Sequence, residues 1–270
     1  FIWAFLIGFT IIILAPLIFM ISASFMPSSD VMKLPYPWIP KEPYLDNFWQ
    51  AIRGNDGSFV YIRNIINSVI VAVTVTFTTV ILAALTGYSL AKFPFKGRNV
   101  VFILIMTTMM IPFEAIMIPL YLIVTNFNLQ DSYTGLILPF LTNAFGVFLM
   151  RQYLLTFPDE LIDAARIDGA SEFKIFWRVI MPNSMPAVAT LAILTFRSQW
   201  DNLLWPLLIV QSEEMKTIPL YIIRFSSEKY TNEGAMMAVA VIASLPMFIL
   251  FFALSKYFLS GSALFSSRKG

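Results

Sequence analysis

The chain has 270 residues, of which 58% are hydrophobic and 13% charged, and its mean hydropathy is +0.76. That balance excludes a soluble globular domain, while a net charge of +2 and a pI near 8.8 give no case for nucleic acid. With no cysteine there are no disulfides, thiolate metal sites or haem attachment, and with no histidine most zinc sites and the commonest general base are gone.

Uncharged apolar stretches of about 18 residues or more meet the criterion for a membrane span. Phe1–Ser29 carries no charge, is longer than a signal peptide's apolar core, and reads as span one. The chain opens at Phe1 rather than Met, and a few leading residues are expected before it. Asp30–Arg63 is a polar loop rich in proline and aromatics. Asn64–Ala91 is span two, and the basic turn Lys96-Gly97-Arg98 follows it. Span three runs from about Val100 to Val124 and is interrupted by Pro112, Glu114 and Pro119. After a turn at Asn126–Ser132, span four covers Tyr133–Met150. Span five, from near Pro186 to Val210, carries Arg197 and Asp201. The polar segment Gln211–Glu233 separates it from span six, Gly234–Ser255, and a tail ends in Arg268-Lys269-Gly270.

Between spans four and five lies Asp159–Pro182, with five acids and three bases yet apolar residues at helical spacing: Leu161, Ala164, Ala165 and Ile167, then Phe173, Phe176, Trp177 and Ile180. Gly169 falls between the two runs, where a helix stops on a residue tolerant of positive φ. Thr156 with Asp159 three residues on suggests an N-cap and its return partner, and Pro158 suits a first turn. Two short amphipathic helices joined at Asp168-Gly169-Ala170 are expected, too polar to span a membrane and too apolar to be a solvated linker. Such an element needs a partner.

Six spans put both ends on one side, and nearby Lys and Arg in short loops decide which. One side carries ten: Lys92, Lys96, Arg98, Arg151, Arg166, Lys174, Arg178, Lys256, Arg268 and Lys269. The other carries seven: Lys33, Lys41, Arg53, Arg63, Lys216, Arg224 and Lys229. This bias predicts cytoplasmic termini and a cytoplasmic amphipathic loop.

No enzyme constellation is present. The chain has no G-x-x-x-x-G-K-[ST], no G-x-S-x-G and no H-E-x-x-H, so any ATP that drives it is hydrolysed by another subunit. Charges inside spans cost ~2.5–3.5 kcal/mol at mid-span and default to a functional hypothesis. Arg197 and Asp201 are four apart and can pair on one helix face, with Gln199, Trp200, Asn202 and Trp205 around them. Carboxylate, amide and indole groups suit a hydroxyl-rich solute, and a self-neutralised ion pair that holds span five against its neighbours or a partner subunit explains the same residues. Glu114, between two prolines, is either a path or gate residue at a broken helix or a carboxylate satisfied by a neighbouring helix or at the outer interface.

Asp163-Ala164-Ala165, Asp168-Gly169-Ala170, Phe176 and Pro182 resemble the cytoplasmic "EAA" loop of binding-protein-dependent ABC importer permeases, with Asp163 in place of the usual glutamate. Gly87-Tyr88-Ser89-Leu90-Ala91-Lys92, Ile118-Pro119-Leu120-Tyr121, Leu138-Pro139, Trp200-Asp201-Asn202, Trp205-Pro206 and Lys269-Gly270 further resemble the carbohydrate-uptake branch, the group containing the smaller maltose-transporter permease. The resemblance implies an all-α membrane protein of six transmembrane helices with type I ABC importer permease architecture and both termini cytoplasmic. Residues 1–64 would form the first span and an extracytoplasmic loop, 65–258 the permease core with a coupling loop at 154–182, and 259–270 a cytoplasmic tail.

The resemblance further implies a heterodimer with a homologous second permease, in a bacterial or archaeal cell (inner) membrane. An ATPase dimer would carry ATP and Mg, this chain would bind no cofactor, and an extracytoplasmic binding protein would deliver a sugar or oligosaccharide. Coupling would run through Asp163, Ala164, Ala165, Arg166, Asp168, Gly169, Ala170 and Phe176. The 211–234 segment would reach into the binding protein, and the tail would touch the ATPase, although Ser262–Arg268 departs from the usual small-residue run. In the maltose system the larger permease holds the sugar, so span five here could line the path without tight binding. The residues alone leave open a stand-alone ion-coupled carrier using Glu114 and Asp201, or a scaffold without transport. The docking loop discriminates, because a stand-alone carrier has no need of it.

Overall fold

The computed structural model describes residues 2–54, 57–227 and 232–266, with side chains described except at 224–227 and 258–266. Lys229, Arg268, Lys269 and Gly270, used above in the charge count or the resemblance, lie outside the described residues. Among the described residues every regular element is helical. In chain order they are α1 (Ile2–Ser24), α2 (Ser28–Val31), α3 (Asp46–Arg53), α4 (Val60–Lys92), α5 (Arg98–Thr108), α6 (Phe113–Asn126), α7 (Tyr133–Ile137) and α8 (Ala144–Leu155). There follow α9 (Asp159–Ile167), α10 (Glu172–Ile175), α11 (Met181–Asn183), α12 (Met185–Trp200), α13 (Leu204–Ile209), α14 (Ile218–Ser227) and α15 (Glu233–Ser266).

Three of these are long and apolar enough to cross a membrane: α1, α4 and the Glu233–Tyr257 part of α15. The number rises to six if each of three bent helix pairs is one span. The pair α5–α6 bends by 90° across residues 109–112, and the Tyr133–Phe140 and α8 pair bends by 45°. The third pair bends by 79° at Ser184, between Glu172–Asn183 and Met185–Ile209. Pro112 caps α6 at the first break, whereas Pro119 lies inside α6 without ending it. A proline in mid-helix forfeits one backbone bond and frees one carbonyl, which a membrane helix tolerates where neighbours or water satisfy it.

The chain forms two compact units. One comprises Phe1–Ser68 and Gln211–Phe248. In it Asn64, Asn67 and Ser68 share one face of α4 at i, i+3 and i+4. Asn67 donates to the Glu214 and Lys216 carbonyls at 2.7 and 2.8 Å, and the Ser68 hydroxyl accepts the Ile218 amide at 2.8 Å. Asn64, with its amide turned to match its neighbours, donates to Glu213 and Lys216 as well. These side chains clamp the 213–218 backbone in what the sequence presents as an uncharged span. Tyr61 stacks on Tyr221 at 4.7 Å and donates to the Val239 carbonyl at 2.8 Å.

The second unit, Val69–Val210 with Ile249–Gly270, carries the larger core: Ala83, Ala84, Tyr88, Leu90, Val147, Met150, Leu154, Ile162, Ile175, Phe176, Ile180 and Leu191 among others. Where its helices restart, polar side chains close the exposed amides. Ser132 accepts from Gly135, Asn143 from Gly146 at 2.6 Å, and Asn202 from Trp205. Beside the breaks an aromatic cluster gathers Phe113, Phe140 and Trp205, with centroids 5.3–6.2 Å apart. Trp205 is fully buried and donates its indole N–H to the Gly135 carbonyl at 2.9 Å. A Cβ on Gly135 would come within 2.1 Å of the Leu129 carbonyl oxygen, so the turn closes only on glycine. Replacing Trp205 with Phe keeps a ring but orphans a buried carbonyl, a loss of ~1–3 kcal/mol. A lower thermal midpoint of the detergent-solubilised protein is the expected result.

Candidate functional site

The amphipathic loop between α8 and α12 begins two residues later than the expected cap would place it. Thr156 closes α8 instead, donating its hydroxyl to the Tyr153 carbonyl at 2.8 Å. Pro158 disfavours helical backbone at Phe157, so α9 starts at Asp159 with Pro158 as its uncapped N-terminal residue. Asp159 and Glu160 then lie in its first turn, where carboxylates oppose the positive end of the helix dipole.

At its other end α9 stops in a Schellman arrangement. The Ala170 amide donates to the Ala165 carbonyl and the Gly169 amide to the Arg166 carbonyl, both at 3.0 Å. Gly169 takes φ +75°, as its place in the sequence predicts, and a Cβ there would meet nothing within 4 Å. The constraint on Gly169 is backbone conformation, and the space above it is open. Ser171 caps α10, after which Phe176–Ile180 widens into a π-turn that buries Phe176 and Ile180. The helical spacing read from the sequence there thus resolves into two kinds of turn.

Ile162 is the buried residue of α9, packed into the larger core. Polar contacts do the rest. The Arg166 guanidinium donates through Nε to Glu172 at 2.7 Å and through Nη1 to Asp163 at 3.1 Å. The second Glu172 oxygen accepts the Tyr88 hydroxyl at 2.8 Å. Lys92 donates to the Phe157 carbonyl at 2.6 Å and to Asp159 at 2.5 Å. The hydrogen bond from Arg166 holds the Glu172 carboxyl below its usual range, aided by the Tyr88 hydroxyl, and the same bond raises the Arg166 guanidinium further. Asp163, Ala164, Asp168 and Gly169 are exposed, as is Ile167 at 87%. Ala165 and Ala170 are half-buried.

The span-five residues divide. Arg197 and Asp201 pair at 3.5 Å with both side chains about two-thirds exposed (68% and 65%), and Asp201 ends α12. Gln199 and Asn202 are half-buried, and Asn202 caps α13. Trp200 is buried against Phe196, and Trp205 belongs to the aromatic cluster. Glu114 is exposed in the first turn of α6. The structure therefore pairs Arg197 with Asp201 and sets both indoles into the packing. Tyr88 and Glu172, central to the loop, were not singled out as site residues. Their signal was a carboxylate one turn past the Gly169 stop and a tyrosine four residues before Lys92. Among the described residues no group of three or more His, Cys, Asp or Glu is placed to hold a metal ion.

A profile described as binding-protein-dependent transport system inner membrane component matches residues 80–261, two-thirds of the chain. The chain belongs to this family. The permease is 36% identical over 254 residues to the arabinooligosaccharides transport system permease protein AraQ of Bacillus subtilis (strain 168), covering 93% of this chain and 89% of that one. It is 34% identical over 257 residues to the sn-glycerol-3-phosphate transport system permease protein UgpE of Yersinia pestis bv. Antiqua (strain Antiqua), covering 93% and 91%. A crystal structure of a bacterial ABC transporter involved in the import of the acidic polysaccharide alginate contains a chain that superposes with a TM-score of 0.83. The two are 26% identical, and the match covers 95% of each chain.

The permease thus has the type I ABC importer permease fold and is the transmembrane component of a binding-protein-dependent importer in the inner membrane. It is not an enzyme, since ATP hydrolysis lies in separate subunits, and the stand-alone carrier is not favoured.

The depressed Glu172 carboxyl sets a pH dependence. A carboxylate whose folded value lies below its unfolded one stabilises the fold above the unfolded value, and that stability is lost as pH falls through the folded one. Protection of the 159–175 amides relative to their intrinsic exchange at each pH is expected to hold down to the ordinary glutamate range, ~4.3, and to fall below it. Glu172→Gln should exchange faster at neutral pH and lose that step.

Proposed function

We propose that this permease is one half of a heterodimeric, ATP-driven importer of a sugar or oligosaccharide, and that α9 is the helix on which a cytoplasmic ATPase docks. The observation that carries the docking assignment is the division of α9 into two faces. Its inner face is bound to the core through Ile162, Arg166 and the Lys92 contacts, while Asp163, Ala164, Ile167, Asp168 and Gly169 are left outward. An 87% exposed isoleucine beside small residues and two carboxylates is a surface for close protein contact. Asp163 and Asp168 would supply polar contacts, Ala164 and Gly169 the close approach, and Ala165, Ala170 and Phe176 the support beneath. Arg166 would act by holding Asp163 in place.

The membrane arrangement in this reading has six spans, three continuous, two bent pairs and Met185–Ile209 as span five, with both termini and residues 154–182 cytoplasmic. The first 64 residues form a span and an extracytoplasmic loop, and 259–270 a cytoplasmic tail. A second, homologous permease completes the path, and a binding protein delivers the solute to the outer side near residues 211–234. ATP and Mg belong to the ATPase pair. Its closure moves the docked helices as rigid bodies and switches the spans between inward-open and outward-open states. Arg197, Gln199 and Asp201 would line the path, with Glu114 at the bend in span three. A carbohydrate-like cargo is supported by the names of the relatives, which import arabino-oligosaccharides, glycerol phosphate and alginate.

Co-purification from membranes tests the docking assignment. The parent should bring down an ATPase and a second permease, and an Asp163→Lys, Gly169→Val variant should lose the ATPase. Valine at a left-handed position costs ~1–2 kcal/mol before the charge reversal is counted. A parent that purifies alone and moves solute without ATP would overturn the assignment. For the path, Asp201→Asn removes the carboxylate that pairs with Arg197, a loss of ~0–1 kcal/mol in stability for a pair this exposed. Uptake of labelled arabinotriose or sn-glycerol 3-phosphate by the complex should fall while the ATPase stays bound.

A further inference from the structure

The inference drawn here rests on the docking assignment and concerns how displacement of α9 reaches a span. A docked partner can push α9, yet the push is useful only if a long helix follows. Apolar contact gives α9 a single deep anchor, Ile162, and apolar contact is non-directional. Directional bonds resist sliding better, and here they converge on one face of α4. Tyr88 and Lys92 are four residues apart in its last turns and so lie on the same side.

Lys92 takes hold of the chain entering α9, through the Phe157 carbonyl and Asp159. Tyr88 takes hold of the chain leaving it, through Glu172, whose other oxygen returns to Arg166 inside α9. Both ends of the helix are thereby tied to one span. Tyr88 is 4% exposed and braced by the Phe93 ring at 5.2 Å and the Phe176 ring at 6.1 Å, so its hydroxyl is presented from a fixed position. Without the Glu172 link the exit of α9 would be governed by the Gly169 turn and the π-turn that follows, the two places where the backbone departs from regular helix.

We propose that Tyr88 and Glu172 are positioning residues that make α9 and the cytoplasmic end of α4 move as one body, converting displacement of the docked helix into displacement of a span. Neither residue belongs to the outward face of α9, so their removal should spare docking and impair transmission. A carboxylate that bridges a guanidinium and a phenol, one oxygen to each, suits this role, because each bond orients the other.

The chain has no cysteine, so spin labels at Ser89→Cys and Leu161→Cys, both exposed, report the α4–α9 distance. They are measured in the purified complex, without nucleotide and trapped with ATP and vanadate. The parent should give one narrow distance that is the same in both states. Tyr88→Phe should retain the ATPase yet acquire a second population, shifted on trapping. Glu172→Gln should act likewise, and the double variant should add nothing further, since both changes break one chain of bonds. A parent distance that changes on trapping, or a Tyr88→Phe distance as narrow as the parent's, overturns the inference while docking stands. Absence of an ATPase from the parent complex instead overturns the docking assignment and this inference with it.

Discussion

Inside a bilayer no water completes an interrupted helix, so each break must be closed by the protein itself. That constraint governs the larger unit of this permease. Ser132, Asn143 and Asn202 each accept an amide where a helix resumes, and Trp205 donates to the Gly135 carbonyl across the turn. The bends at residues 109–112 and after Phe140 lie beside Phe113 and Phe140, which pack with Trp205. Bent spans are therefore not loose spans. Their irregular backbone is held by side chains of fixed direction, leaving the charged pair Arg197–Asp201 exposed at the end of a well-supported helix.

The same economy of directional contacts appears in the amphipathic loop. A short helix of nine residues has little helical stability of its own, and most of what it has must come from tertiary contact. Here Ile162 supplies the apolar part, and Lys92, Tyr88 and Glu172 supply the rest. A partly exposed ion pair such as Arg166–Asp163 contributes ~0–1 kcal/mol. Its value is orientation rather than stability, since it fixes a carboxylate on the outward face.

How far the sequence could be read depended on whether a feature is local. The Gly169 stop and the Arg197–Asp201 pair are local, and each appears in the structure where its spacing places it. The apolar period read over 159–182, by contrast, misses the buried Ile162 and Ile175 and includes the exposed Leu161, Ile167 and Phe173. The start of α9 is local too, but two rules competed. Thr156 offered a cap, and the restriction imposed by Pro158 on Phe157 overrode it. The Tyr88–Glu172 bond joins residues 84 apart, so each has a local cue but no local rule pairs them. Trp205 illustrates the opposite difficulty. In sequence it sits among polar residues and suggests a sugar platform, whereas its partners Phe113, Phe140 and Gly135 arrive from segments 65 or more residues away.

The glycine at 169 shows why a docking helix and its anchor can be specified independently. Its positive φ ends α9 and turns the chain back toward Glu172, which lets the inner bonds form. Because no atom of the described residues lies within contact of a Cβ there, the demand for glycine from within is conformational alone. Any steric demand would come from outside, from whatever approaches the Asp168–Gly169 corner. The inner face therefore fixes where the helix sits and how it moves, while the outer face remains free to match a partner. A subunit that must pass force in one direction and recognise a surface in the other needs that separation, and nine residues bracketed by three bonds to α4 provide it.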